Sequence, residues 1–383
     1  MNFKLSDEHR LIQEAARDFA TRELAVDVIE RDKESRFPLR QVQLMGELGF
    51  MGVTIPMKYG GAEMDHLSYV LIIEELAKID ASSAVIVSAH NSLALWGLNT
   101  YGTEEQKEKF LKPLAEGKKL GAFALSEPEA GSDASSQHTS ARKTEDGYIL
   151  NGNKNWITNG SSADTYIVIA QTDHSRGSHG ISAFIIEKNQ PGFTIGPKED
   201  KLGIRSSDTH ALHFSDVAVS ESQLLGQEGS GFKIAMETLD GGRIGIAAQA
   251  VGIAEGAYQL ALKYAQERKT FGKPIFKHQA IQFKLSDMAT KIQAARLLTY
   301  QAAALKDQGE RYTKEAAMAK LFASETAMSS TIEAIQIHGG YGYVREYQVE
   351  RMMRDAKITE IYEGTSEIQK MVIARELLKS LNS

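Results

Sequence analysis

The hydrophobic pattern of this chain changes period twice, and that switch limits the folds open to it. In the first third, Leu11, Ile12, Ala15, Ala16 and Phe19 recur at helical spacing and predict one apolar helix face over residues 6–35. Pro38 opens a second helix that Gly49 ends, and Asp65 caps a third carrying Leu67, Val70, Leu71, Glu74 and Glu75. Residues 82–98 read as a buried helix, and Thr103-Glu104-Glu105-Gln106 is a capping-box start. From Leu120 to about Ser220 the pattern shortens to β-rich runs between turn signals, among them Tyr148-Ile149-Leu150, Tyr166-Ile167-Val168-Ile169 and the alternating stretch 210–219. Helical spacing returns after Gly231 in four long segments, 232–269, 278–308, 313–337 and 366–381, rich in good helix formers. At 383 residues the chain is too long for one ordinary core. The expected fold is α+β multidomain: an N-terminal all-α domain over 1–119, a middle antiparallel β-barrel or sandwich over 120–228, and a C-terminal four-helix bundle over 229–383.

Composition removes several function classes. A net charge of −6, from 44 basic and 50 acidic residues, offers no general attraction to nucleic acid or anionic membranes. With no cysteine there is no disulfide, no thiolate nucleophile and no Cys-held zinc or iron–sulfur cluster. The opening Met1-Asn2-Phe3-Lys4-Leu5-Ser6 lacks a signal-peptide core and an Arg-rich transit pattern, and no apolar run reaches the ~18 residues of a spanning helix. The expected location is the bacterial cytoplasm, or the mitochondrial matrix after loss of a presequence. No Rossmann or Walker glycine motif, H-E-x-x-H zincin motif or G-x-S-x-G elbow occurs, and the ten His residues show no metal-ligand spacing, so no metal is expected.

Five places carry possible chemistry. In Ala124-Leu125-Ser126-Glu127-Pro128-Glu129-Ala130-Gly131-Ser132-Asp133, small and turn-forming residues fit either an anion-binding nest or an ordinary Ser or Asx turn. In Asn155-Trp156-Ile157-Thr158, a regular strand puts Trp156 and Thr158 on one face, where indole and hydroxyl can meet a planar ring; a core Trp at a strand end fits as well. Gln336-Ile337-His338-Gly339-Gly340 fits a helix C-cap or backbone pressed against a ligand. Arg243, in Leu239-Asp240-Gly241-Gly242-Arg243, and Arg268, ahead of Phe271, can hold phosphates or stand as solvated helix cations. Finally, Ile361-Tyr362-Glu363-Gly364-Thr365-Ser366-Glu367 sets a carboxylate just before the last helix. The helix N-terminus would favour its charge and an apolar pocket would raise its pKa, making a base able to take a C–H proton beside a carbonyl.

Together these residues strongly resemble the acyl-CoA dehydrogenases, over essentially the whole chain. The resemblance is most specific at 125–133, at 336–355 and at 361–367. It implies the acyl-CoA dehydrogenase fold and α,β-dehydrogenation of acyl-CoA thioesters of short or branched short chain, a step of fatty-acid β-oxidation. Glu363 would take the α proton and FAD the β hydride, with electrons passed to an electron-transferring flavoprotein. Phe123, Leu125, Ser126, Gly131 and Ser132 would line the cofactor, Ser132 also nearing substrate. Trp156, Ile157 and Thr158 would sit beside its ring system, and Thr365, Ser366 and Glu367 would meet it from the bundle. Arg268, Phe271, Gln279, Gln336, Ile337, Gly339 and Gly340 would reach FAD across a subunit contact, which implies a homotetramer built as a dimer of dimers. Asp240, Arg243, Tyr362 and Gly364 would contact the acyl-CoA substrate.

Three departures refine the expectation. Some relatives place the base on the helix near 240–243, where this chain has Gly241 and Gly242. Relatives acting on glutaryl thioesters carry an Arg within 82–88, and Ala84-Val85-Ile86-Val87 offers none, which disfavours a dicarboxylyl substrate. Glu129 stands where small residues are more usual and is expected to face solvent. The same fold also serves acyl-CoA oxidases, usually much longer chains, and catalytically silent assembly partners.

Overall fold

The computed structural model describes residues 4–381. The Met1-Asn2-Phe3 of the leader reading and the Asn382 and Ser383 that end the expected bundle lie outside the described residues. Ser6 caps α1 (Asp7–Phe19), its hydroxyl accepting from the His9 N–H at 3.1 Å. The single helix expected over 6–35 is broken. A π turn at Ala20–Leu24 follows α1, and the chain restarts as α2 (Val28–Glu34) after Asp27, whose φ is −133°. The buried Arg31 guanidinium bridges the break, donating to the Leu24 carbonyl at 3.0 Å and to Asp80 at 2.9 Å. After α3 (Leu39–Glu47) come α4 (His66–Ala77), capped by Asp65, and α5 (Ala81–Ser88), whose residues are all buried. A second π stretch, Ala89–Leu95, leads into α6 (Trp96–Tyr101), α7 (Glu104–Gln106) with its Thr103 capping box, and α8 (Lys112–Ala115).

Eight strands follow: β1 (Gly121–Ala124), β2 (Ser140–Thr144), β3 (Gly147–Thr158), β4 (Thr165–Gln171), β5 (Ile181–Glu187), β6 (Phe193–Lys198), β7 (Thr209–Ser220) and β8 (Leu224–Leu225). Their order is β6-β7-β3-β2-β4-β5-β8, with β1 also beside β4. The expectation of a wholly antiparallel sheet needs correction, because β1 and β2 both run parallel to β4. Parallel neighbours need a long connection: residues 125–164 join β1 to β4, and residues 145–164, which include β3, join β2 to β4. Since β5 fills one edge of β4 along 165–171, β1 (opposite 165–168) and β2 (opposite 171) share the other edge. The 125–139 connection is therefore extruded from the sheet between two short strands.

The chain returns to helix with α9 (Gly231–Glu267), a small hairpin of β9 (Lys269–Thr270) and β10 (Lys273–Pro274), α10 (Gln279–Asp307), α11 (Thr313–His338), α12 (Val349–Ile358) and α13 (Ser366–Leu381). α11 packs on α9, α10 and α13, and α4 lies across α9 and α10, so one apolar cluster joins the two helical regions. Small residues permit the crossing: a Cβ at Gly252 or Gly256 would strike the backbone of Glu74 or Lys78. No described helix is long and apolar enough to cross a membrane.

Candidate active site

Glu363 sits in a tight turn between α12 and α13, with φ of 55° at Glu363 and 88° at Gly364. Left-handed backbone is unfavourable for a residue with a Cβ, so surrounding bonds must hold it there. Gln369, fully buried on α13, donates through Nε2 to the Glu363 carbonyl at 3.1 Å and to the Gly364 carbonyl at 2.8 Å. Lys320, fully buried on α11, donates to the Gly364 carbonyl at 2.7 Å. The Thr365 hydroxyl accepts from the Ile368 N–H at 3.3 Å and so caps α13.

The residue is half-buried, but Oε2 of its carboxyl is shut from solvent and has no hydrogen-bond partner among the described residues. It lies against Gly242 of α9, where a Cβ would meet both Glu363 and Leu93. Of the two forces expected here, burial is the one that sets the direction. It pushes the carboxyl up to about 7, against the pull of the Arg243 and Lys320 charges. An unpaired, desolvated carboxyl of this kind is poised to exchange a proton near neutrality.

The neighbouring candidates differ in freedom. Tyr362 donates its hydroxyl to Gln249. Asp240 is tied to Arg243 and accepts from the Thr313 hydroxyl at 2.7 Å, so it does not compete as a free base. Burial raises the Asp240 carboxyl and lowers the Arg243 guanidinium, each opposed by the other's charge. Among the described residues, buried Arg243 Nε has no partner, which leaves a donor for an incoming polar group.

Two of the predicted motifs meet on the sheet. Phe123 is buried at the end of β1, and the loop after it begins with buried Leu125, passes half-buried Ser126, and exposes Gly131 and Ser132. The Ser126 carbonyl accepts from the Asn155 N–H at 2.9 Å, joining the loop to the segment that carries Trp156. The β3–β7 register slips between Lys154 and Ile157, and Trp156 has φ of 62°, so a bulge rather than a regular strand presents these side chains. Trp156 is 61% exposed, Thr158 is half-buried, and Ile157 turns into the sheet core, leaving only its backbone toward the loop side. Glu129 is exposed, as expected. Leu93 connects the two regions: it touches the Gly242–Glu363 corner and shares a cluster with Phe123 and Leu125.

The remaining candidates lie elsewhere on the chain. Arg268, Ile337, Gly339 and Gly340 line a separate recess of about 500 Å³ with Tyr264, His338 and Tyr341. Arg268 lies 5.6 Å from the Tyr341 ring centre. Phe271 is 95% exposed beside it in sequence, and Gln279 and Gln336 are exposed. Positions 320 and 338 are separated along α11 by roughly 27 Å at ~1.5 Å per residue. The recess and the Glu363 carboxyl therefore belong to two different places on one chain.

Several groups escaped the sequence reading. Lys154, fully buried in β3, donates to the Leu125 carbonyl at 3.0 Å, to Glu127 at 2.7 Å and to Gln137. Glu127 also accepts the His138 and Thr139 N–H groups at 2.6 and 3.0 Å, so this network fixes both ends of the loop. Lys320 and Gln369 were missed likewise. Only the oddity of a lysine inside a strand or an apolar helix face could have pointed to the two lysines, and nothing in the sequence singles out Gln369.

With the geometry in view, the family is clear. The descriptions "Acyl-CoA dehydrogenase, N-terminal domain", "middle domain" and "C-terminal domain" match residues 6–118, 122–217 and 229–378. The chain belongs to the acyl-CoA dehydrogenase family, whose members are flavoproteins. It is 52% identical over 379 residues to the short-chain specific acyl-CoA dehydrogenase of Clostridium acetobutylicum, covering 99% of this chain and 100% of that one. The structure of butyryl-CoA dehydrogenase from Megasphaera elsdenii superposes with a TM-score of 0.97 at 54% identity, covering 99% of this chain and 100% of that one. A chain from a structural study of the electron transferring flavoprotein of Acidaminococcus fermentans gives 0.98 at 54% identity, with the same two coverages.

Proposed function

We propose that this chain is a short-chain acyl-CoA dehydrogenase in which Glu363 is the catalytic base. The observation that carries the reading is the Glu363 carboxyl, its Oε2 shut from solvent and unpaired among the described residues, lifted to about 7 and aimed at a corner opened by Gly242. Glu363 takes the proton from the carbon α to the thioester. The Glu363 backbone N–H donates to the thioester oxygen and stabilises the enolate-like charge. Arg243 and Asp240 engage the CoA portion, and Tyr362 and Gly364 shape the acyl end of the cleft.

The residues present suit FAD. Gly131, Gly339 and Gly340 have open space where a Cβ would stand, so backbone can approach a ligand closely. Phe123, Leu125, Ser126, Gly131 and Ser132 hold it from the loop, and Trp156, the Ile157 backbone and Thr158 hold its ring system from the bulge. Thr365, Ser366 and Glu367 hold it from the bundle. Bound FAD supplies the acceptor for the β hydride. The recess at Arg268, Ile337, Gly339 and Gly340, together with exposed Phe271, Gln279 and Gln336 of the same segments, serves the cofactor of a second copy, since it lies too far along α11 to serve its own. That division supports a homotetramer arranged as a dimer of dimers, with chain divisions at 119/120 and 228/229. An electron-transferring flavoprotein is the acceptor of the reducing equivalents, and the cytoplasm or a mitochondrial matrix is the setting.

The absence of any cation among Ala84, Val85, Ile86 and Val87, all buried in α5, favours an apolar acyl chain over a dicarboxylyl one. Anaerobic titration of the yellow holoprotein with a panel of acyl-CoA thioesters tests the assignment. Butyryl-CoA is expected to bleach it fastest, and Glu363→Gln is expected to stay folded and yellow without bleaching. Bleaching of that variant at the wild-type rate would remove Glu363 from the mechanism.

A further inference from the structure

The turn that carries the base is built from two successive left-handed residues, Glu363 and Gly364, and is strained wherever Glu363 is concerned. Such a turn persists only if its carbonyls are pinned. Two fully buried side chains do this: Gln369 from the following helix and Lys320 from α11. Gln369 belongs to the same segment and moves with it. Lys320 comes from a different helix, so it alone of the two ties the turn to the body of the bundle.

The choice of a lysine is costly on packing grounds. An amide or hydroxyl could donate to one carbonyl without bringing a charge out of water, whereas a buried ammonium loses solvation worth several kcal/mol. Burial brings the Lys320 ammonium down to about 8, opposed first by the nearby Glu363 charge. The groups that act on the Glu363 carboxyl come from three sides. Arg243 faces it from α9 and Lys320 from α11, while Tyr69 of α4 and Tyr362 of its own turn respond to its charge. Arg243 is already neutralised by Asp240. Among the described residues no carboxylate is bonded to Lys320, whose hydrogen bond goes to the neutral Gly364 carbonyl. Its charge is balanced through space rather than by a bonded partner, by Glu363 first and then by Glu360 and Glu367.

We propose that Lys320 is a positioning residue for the base: its ammonium locks the Glu363–Gly364 turn through the Gly364 carbonyl and supplies a positive charge near the Glu363 carboxyl. The proposal rests on the reading of Glu363 as the base. It divides into two separable effects, one of geometry and one of charge, and two substitutions separate them. Lys320→Met removes the donor and the charge while keeping the volume. Lys320→Gln removes the charge but keeps a donor for the carbonyl.

The test uses the holoprotein and two readouts. The first is the pH dependence of flavin bleaching by butyryl-CoA under anaerobic stopped flow. The second is infrared titration of the Glu363 carboxyl, identified by its loss in Glu363→Gln, which needs no turnover. In wild type the rate rises with pH as Glu363 deprotonates near 7. Loss of a nearby cation disfavours the carboxylate, so in both variants the infrared midpoint and the rising limb move up by about one unit. Above that limb Lys320→Met remains slower by roughly 10- to 100-fold from the loosened turn, with KM little changed. Lys320→Gln recovers much of that plateau while keeping the shifted limb. If Lys320→Met fails to fold, the Lys320→Gln midpoint alone decides. An unchanged Glu363 midpoint in a folded, flavin-bearing variant overturns the proposal. A wild type that no acyl-CoA bleaches overturns the enzyme assignment instead, and the infrared titration still decides the role of Lys320.

Discussion

Gly242→Ala places one methyl group where the base needs room. A Cβ at this position of α9 stands 2.9 Å from Leu93 Cδ2 and 3.1 Å from Glu363 Cδ. Carbon atoms settle at about 3.5–4.0 Å, so the carboxyl must retreat by roughly 0.5–1 Å, with Leu93 blocking compensation from the other side. A displacement of about 1 Å at a reacting group costs up to roughly 100-fold, so flavin reduction should slow by about 10- to 100-fold. Stability changes little. Alanine gains about 1 kcal/mol over glycine inside a helix, and the crowding costs about 1–3 kcal/mol, so the net loss is about 0–2 kcal/mol. Gly241→Ala is the matched control, because its Cβ meets the movable Lys306 ammonium at 2.6 Å and no part of Glu363. Anaerobic stopped flow with butyryl-CoA, at equal flavin content, gives both rates. If Gly242→Ala reduces its flavin as fast as wild type, the carboxyl does not work from the corner described.

Glu363 should also be a stability liability at high pH. Its folded pKa of about 7 lies above its ordinary 4.5, so the folded state holds an extra proton between these values and stability falls as pH rises through that window. About 2.5 units correspond to about 3 kcal/mol at most, so Glu363→Gln should melt higher than wild type at about pH 8 and equally near pH 4. Identical melting at both pH values would contradict the burial of this carboxyl. At the cofactor loop, Lys154→Met should cost about 3–5 kcal/mol by leaving Glu127 buried without its partner. It should also loosen flavin retention. Adding Glu127→Gln should restore part of the stability, and denaturant titration of the single and double variants tests that coupling.

The order of the three regions was legible because periodicity survives in surface and core alike. The four long C-terminal segments lie within a residue or two of α9, α10, α11 and α13. Glu363 was legible through its motif, but the winning force was not, since burial of a carboxyl depends on Gly242, Leu93 and other residues distant in sequence. The break at Ala25–Asp27 was hidden because Arg31, which takes up the Leu24 carbonyl, is itself held by Asp80, far away in the chain. Parallel pairing of β1 and β2 with β4 was equally hidden: alternation reveals which face of a strand is buried, not the direction of its neighbour. Lys154 and Lys320 look like ordinary surface lysines until their partners are known.

The placement of β1 and β2 end to end along β4 has an evolutionary corollary. Residues leaving the sheet after Ala124 and rejoining it at Ser140 contribute almost nothing to strand pairing between those points. Mutation can therefore rework the exposed part of that excursion without unzipping its platform, provided the lysine beneath keeps its grip on both ends. Diversity of chemistry and economy of architecture meet at this seam: the sheet stays fixed while the chain beside the reaction remains free to change.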